Sequence, residues 1–346
     1  SGSSYDTGAI KGAIAIGKSG STAPQATDEN AIAIGQAARA NGRGGVALGN
    51  DTRSAQNAIA AAWDSQATGK NSVAVGTGTR ATGLSSTAVG DGAQATANGA
   101  VALGQSTESA GNSVAAGFNA KARSNNTVAI GVEANNDGSI TNNASSVSVG
   151  VATRARAVGS MAMGVSADAS GKYSLALGSG DVSGDYTDGT NYPSASGEKS
   201  IAIGYKSNAS DESAIAIGSA SISDKVSATA LGRNTTATGV NSSAIGAYSI
   251  ASNTDATALG RNANATAGQS TALGTYSVAS GQYGTGVGYQ ANASGANSTA
   301  VGVSAKANKE GASAMGPGAR AYGNGAISFG YQALSGANIF NSAGNG

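Results

Sequence analysis

Asn71-Ser72-Val73-Ala74-Val75-Gly76 runs into Thr77-Gly78-Thr79-Arg80-Ala81-Thr82-Gly83, and together the two segments are the unit from which the chain is made. In the first, Val73 and Val75 flank an alanine, and a glycine closes the run. In the second, the small Thr79 and Ala81 flank Arg80. Both alternate with period two, the mark of short strands, and Gly and Asn stand where the chain must turn with positive φ. One unit therefore reads strand, turn, strand, turn.

The same pattern extends in both directions. It recurs as Ile14-Ala15-Ile16-Gly17, Ile32-Ala33-Ile34-Gly35, Val101-Ala102-Leu103-Gly104, Met161-Ala162-Met163-Gly164 and Ile201-Ala202-Ile203-Gly204. There are 22 such units, one of them degenerate, with Ala62 where glycine belongs. From Gly204 to Gly330 every step is 14 residues. Three steps are longer, placing insertions near 18–30, 132–146 and 179–199, which in a solenoid are expected to project from one face.

With the closing glycine as position zero, positions +3 and +5 are small, as at Ala38 and Ala40 or Ala263 and Ala265. Position +4 between them is polar, as at Arg39, Gln94, Lys121 and Arg320. A two-strand unit repeated without helices predicts an all-β parallel solenoid, each coil stacked on the last at ~4.8 Å, roughly 100 Å in all. A helical array is excluded because the apolar period is 2, not 3.6, and glycine recurs too often.

Composition fits only such a fold. Of 346 residues, 49 are Leu, Ile, Val or Phe, while Ala supplies 73 and Gly 54. So few aliphatics usually mean disorder, but disorder also needs a high net charge, and this chain carries +1. The chain has neither Cys nor His, which removes disulfides, thiolate zinc sites and the usual general base. No cofactor is expected. Nucleic acid is not an expected partner, because no basic patch stands out. No run of 18 apolar residues spans a membrane, and no signal peptide is evident.

The pattern also sorts inside from outside. Position −2 is Ala in nearly every unit, the exceptions being Ser148, Gly286 and Ser328. If Ala and the small +3 and +5 residues fill a narrow roll, positions −3 and −1 must point out. Position −1 is the large column Ile34, Leu48, Val75, Leu103, Ile130, Met163, Leu177, Ile203, Ile217, Leu231, Ile245, Leu259, Leu273, Val301, Met315 and Phe329. An apolar ladder of that length is not left in water, so it is expected to pack against identical ladders about a symmetry axis. The opposite arrangement, Ala outside in a monomer, would bury the hydroxyls of Thr229, Ser243, Thr257, Thr271, Thr285, Thr299 and Ser313 at −3.

Units such as Asn71–Gly76 and Lys199-Ser200-Ile201-Ala202-Ile203-Gly204, each followed by a small-x-small strand, closely resemble the head repeats of trimeric autotransporter adhesins, of which the YadA-type head is the best known. The likeness covers about residues 12–336. It implies a left-handed parallel β-roll of 14-residue coils, assembled as a parallel homotrimer with the apolar column facing the trimer. It also implies display on a Gram-negative surface by type V secretion. The family's signal peptide, neck, stalk and outer-membrane anchor are not recognisable here, so the chain reads as a single head domain.

Within the longest insertion, Asp181, Asp185, Tyr186, Asp188 and Tyr192 gather with Glu198, a candidate calcium or ligand-contact loop, although the spacing fits no EF-hand. Tyr205, Tyr289 and Tyr331 at +1, with Tyr248 and Tyr276 at +2, are candidate exposed contacts. Trp63 is expected to repair the packing beside Ala62. The functional expectation is a non-enzymatic adhesin binding extracellular matrix proteins, host cells, abiotic surfaces or other bacteria through many weak contacts. Alternatives are an ice-binding solenoid, suggested by the late Thr column, and a purely structural spacer. A polysaccharide-degrading β-helix enzyme needs clustered carboxylates, and the 19 acids are scattered.

Overall fold

The computed structural model describes residues 4–5, 11–18, 22–135, 145–180 and 191–336. Among these, every regular element is a strand and no helix is long and apolar enough to cross a membrane. The chain falls into two compact units, Ser1–Ala169 and Ser170–Gly346.

In the first unit, eleven longer strands run from Ile14–Ile16 to Met161–Val165, one before each closing position. They pair in parallel and in register, so that Val73 meets Thr87, Ala74 meets Ala88 and Val75 meets Val89. Two-residue strands from Gln25–Ala26 to Asp168–Ala169 form the opposing ladder, Arg80 and Ala81 lying beside Gln94 and Ala95. The second unit repeats this with eleven longer strands, Leu175–Ser179 to Ile327–Phe329, and eleven short ones, Ser194–Ala195 to Leu334–Ser335. Each coil thus pairs only with its neighbours, as the repeat requires. Ser4–Tyr5 departs from this rule. It pairs antiparallel with Ile14–Ile16, covering an edge that would otherwise offer unpaired backbone groups.

Two opposed strands this close leave no room for large side chains. Among the described residues every buried hydrophobic residue is alanine, and the largest fully buried side chains are Thr, Ser and Pro193. Many inward hydroxyls turn back on their own coil: Thr79 Oγ1 donates to the Gly76 carbonyl at 2.9 Å and Ser72 Oγ to the Gly69 carbonyl at 2.6 Å, while Thr235 Oγ1 reaches the Gly246 carbonyl of the next coil at 2.7 Å. Ala therefore fills most of the roll, and Ser or Thr takes the remaining inward places, many but not all of them where a carbonyl accepts the hydroxyl.

Each coil turns through three positions of positive φ, at 0, +2 and −5. In the coil closed by Gly246 these are Asn241 (φ 54°), Gly246 (123°) and Tyr248 (61°). Position 0 also lies against the next coil, since a Cβ at Gly246 would stand 2.6 Å from the Gly260 carbonyl oxygen. Ala62 nevertheless occupies this position at φ 93°. The glycines at +7 have another role: Gly83 is not at positive φ, but a Cβ there would come 1.9 Å from the Ala97 oxygen.

The longer steps fall in different turns of the coil. Pro24 takes the inward +3 place of its coil, so the extra residues after Gly17 lie in the first turn, between the long and the short strand. Pro193 does the same after Gly178. The third instead follows Asn135, whose backbone bridges Lys121 and Arg154, and precedes Val147–Val151, placing it in the second turn. Much of each insertion expected to project lies outside the described residues; what the flanking strands show is that either turn can lengthen without breaking a ladder.

Candidate functional site

The longer strands present two outward columns. Val73–Val75 is typical: Ala74 is fully buried, Val73 is half-buried and Val75 is 38% exposed. In the first unit Ile34, Leu48, Val75, Leu103 and Ile130 are exposed, and Met163 is half-buried. In the second, Leu177, Leu231, Leu259, Leu273, Met315 and Phe329 are exposed, while Ile203, Ile217, Ile245 and Val301 are half-buried. None is inside the roll, which is the arrangement expected from Ala at −2. The hydroxyls of Thr229, Ser243, Thr271, Thr285, Thr299 and Ser313 stand beside them, half-buried on the same face.

The opposite sheet is polar in the first unit. Arg53 pairs with Asp51 at 3.4 Å, Arg80 with Asp64 at 3.8 Å, and Arg123 grips Glu108 with two nitrogens at 2.5 and 2.9 Å. Arg156 pairs with the buried Asp168. The other pairs are largely solvated and contribute little individually, so they mark a wet face.

The second unit segregates its carboxylates. Among its described residues all six carboxylates (Glu198, Asp211, Glu212, Asp224, Asp255 and Glu310) lie in second turns. There Glu198, with help from Glu212, holds the Lys199 ammonium above its usual pKa. The first turns carry cations and tyrosines. Arg233 lies with its guanidinium carbon 4.8 Å from the Tyr248 ring centroid, and Arg261 stands the same way over Tyr276 at 4.8 Å. Tyr276 meets Tyr289 edge-on at 6.1 Å. Tyr248 and Tyr276 both sit at positive φ, a conformation costing a bulky L-residue roughly 1–2 kcal/mol and filled at +2 in the other described coils by smaller or unbranched residues such as Asn234, Gly78, Ser106, Ala220, Asp51 and Gln290. Stacking on arginine returns about 0.5–1 kcal/mol.

Of the other sequence candidates, Asp181, Asp185, Tyr186 and Asp188 lie outside the described residues. Tyr192 is half-buried beside Pro193. Tyr205 and Tyr331 are exposed on first turns. Trp63 is 58% exposed, so it fills no gap left by the missing glycine at 62. Among the described residues no three acids gather as metal ligands. Sequence reading singled out Tyr248 and Tyr276 but missed Arg233 and Arg261. The available signal was an Arg at +1 in alternate coils with a Tyr at +2 between them.

The coil, its alanine interior and its outward column define a class before any comparison is made: a parallel β-solenoid whose large apolar residues face away from its own core. The YadA head domain repeat, a family model of two copies, matches residues 26–52, 54–79, 81–107, 109–134, 155–180, 195–221, 224–249, 251–277, 279–305 and 307–333. With more than half of its length matched, the chain belongs to the YadA head family, the heads of trimeric autotransporter adhesins. The largest gaps between matches fall at the two longer insertions. No curated protein matches the chain significantly.

Proposed function

We propose that this chain is the adhesive head of a bacterial surface fibre. Three copies pack their −1 and −3 columns together, and the remaining surface attaches to matrix proteins, host cells, abiotic surfaces or other bacteria. The observation that carries the assembly is that among the described residues only small side chains, mostly alanine, fill the interior while the aliphatics stand outside. Burying a Leu or Ile side chain contributes about 1.5–3 kcal/mol, against about 0.8 kcal/mol for a methyl-sized group. A further share of hydrophobic stabilisation, from the exposed part of the outward column, is then left to arise between chains. Nothing in this scheme needs catalysis, a cofactor or a metal. The work is attachment, strengthened by repetition of weak contacts. Membership of the YadA head family supports both parts and the placement on a Gram-negative cell surface.

The test is retention of fluorescent beads coated with the chain on collagen, fibronectin, laminin, glass and plastic, after its mass in solution is measured. A trimer retained on at least one surface above bovine-albumin-coated beads is expected. A trimer retained on none would make it a spacer, and a monomer at micromolar concentration would overturn the assembly. The Thr run from Thr257 to Thr299 is the one feature favouring ice binding. In the proposed assembly it is covered, so thermal hysteresis is expected to be absent.

A further inference from the structure

In the second unit, Arg233, Tyr248, Arg261, Tyr276 and Tyr289 occupy the first turns of five successive coils. All five are exposed. The same rungs fix their spacing: the Tyr248 amide donates to the Arg233 carbonyl and the Tyr276 amide to the Arg261 carbonyl, each at 2.9 Å. Each guanidinium carbon lies over a ring at 4.8 Å from its centroid, and among the described residues neither Arg233 nor Arg261 makes an ion pair or a side-chain hydrogen bond. A stacked guanidinium with open N–H edges is already arranged for two-point recognition of a carboxylate. No carboxylate occupies any first turn between Gly204 and Gln332, so nothing on that face competes for an anion.

The spacing selects among anions. Coils rise by ~4.8 Å, so the two guanidiniums stand roughly 10 Å apart with a tyrosine between them. One coil is close to the advance of one sugar ring along an extended polysaccharide. Two coils then match a disaccharide, with an acid at every second sugar and a ring to stack on the sugar between. Phosphates of a nucleic-acid strand lie closer together and would leave this register within two coils.

We propose that the file Arg233–Tyr248–Arg261–Tyr276–Tyr289 binds a linear polysaccharide carrying one carboxylate per disaccharide. This specifies a ligand for the adhesive surface and rests on that reading. The probe is hyaluronate, measured by biolayer interferometry on the immobilised full chain, with dextran as the neutral control. Arg233→Gln with Arg261→Gln should weaken binding about tenfold, and Tyr248→Ala with Tyr276→Ala comparably. Alanine already occupies the +2 position at Ala37, Ala152 and Ala220, so the second pair keeps the fold. Lys306→Gln with Arg320→Gln removes the same charge from the short strands and should change binding less than about twofold. Equal losses in both charge variants would reduce the effect to net charge and overturn the proposal. So would preferential capture of single-stranded DNA at equal charge. Beads that hold to matrix surfaces while the chain ignores hyaluronate would overturn this inference alone; failure of both would strike the adhesive reading itself.

Discussion

Val75 and Val89 pair in register on adjacent coils with both side chains outside the roll, while Ala74 and Ala88, one residue earlier, pair with no exposed surface at all. This single-residue alternation separates two cores, one within a chain and one between chains. Charge placed on the outward column should therefore act on assembly first. Ile203→Asp with Ile217→Asp is expected to convert a trimer to monomers or to unfold it, read as mass by light scattering. Ile222→Asp with Ile250→Asp makes the same change on the short strands, where both isoleucines are as exposed as Val75. That pair should leave the mass unchanged. If the two pairs behave alike, the interface is elsewhere.

The inward column should respond in the opposite sense to size. Ala102 is fully buried and pairs with Ala88 and Ala115, whereas Leu103 beside it is 40% exposed. Ala102→Leu adds three carbons to a space bounded by backbone on both sides. A cost at or above the usual 1–3 kcal/mol of overpacking is expected, seen as a lower midpoint of thermal unfolding. Leu103→Ala should cost under about 1 kcal/mol in a dissociated chain and more in the assembled one, where the leucine is covered. Equal losses in both states would argue that Leu103 is not at the interface.

The turns allow a paired test of backbone strain. Gly76 sits at φ 126°, and a Cβ there would meet the Gly90 carbonyl oxygen at 2.7 Å. Gly76→Ala should cost about 2 kcal/mol or more, from strain and contact together. At position 62 nature has already made that change, with Ala62 relaxed to φ 93°. Ala62→Gly relieves strain but frees the unfolded chain, so the two effects nearly cancel and stability should move by less than about 1 kcal/mol. Denaturant midpoints decide. A large gain at 62 would show that the coil does not accommodate its alanine.

Much of this architecture was legible because period two and period 14 leave few alternatives. The alternation marked the strands, and the near-constant Ala at −2 favoured an alanine interior over the opposite arrangement. What escaped was local. Position +2 is at positive φ in almost every described coil, yet its occupants range from Asn234 to Tyr248 and Lys206, so no residue type announces it. The stacking of Arg233 on Tyr248 joins positions 15 apart, a distance that means nothing until the coils are stacked. The expectation for Trp63 failed for a similar reason. A missing Cβ-free position invites a packing repair, but here the backbone shifts instead and the indole stays in solvent.

The longest insertion can be removed without disturbing a ladder. Pro193, Ser194 and Ala195 occupy +3, +4 and +5 of the coil that follows Gly178, and Ser194 and Ala195 pair with Asn208 and Ala209. Deleting residues 179–190 joins Gly178 to Asn191 and restores the 14-residue step to Gly204, with Tyr192 falling at +2, where Tyr248 and Tyr276 already sit. Shortening a loop changes closure entropy by only about 0.6 kcal/mol per halving, so stability should be equal or slightly higher. The deleted chain should keep its mass and its unfolding midpoint within a few degrees. Hyaluronate binding should survive as well, because the Arg233–Tyr289 file begins three coils further on. Retention on matrix surfaces is the discriminating measurement: if it disappears while mass and midpoint hold, attachment resides in the insertion; if it persists, attachment belongs to the repeated face.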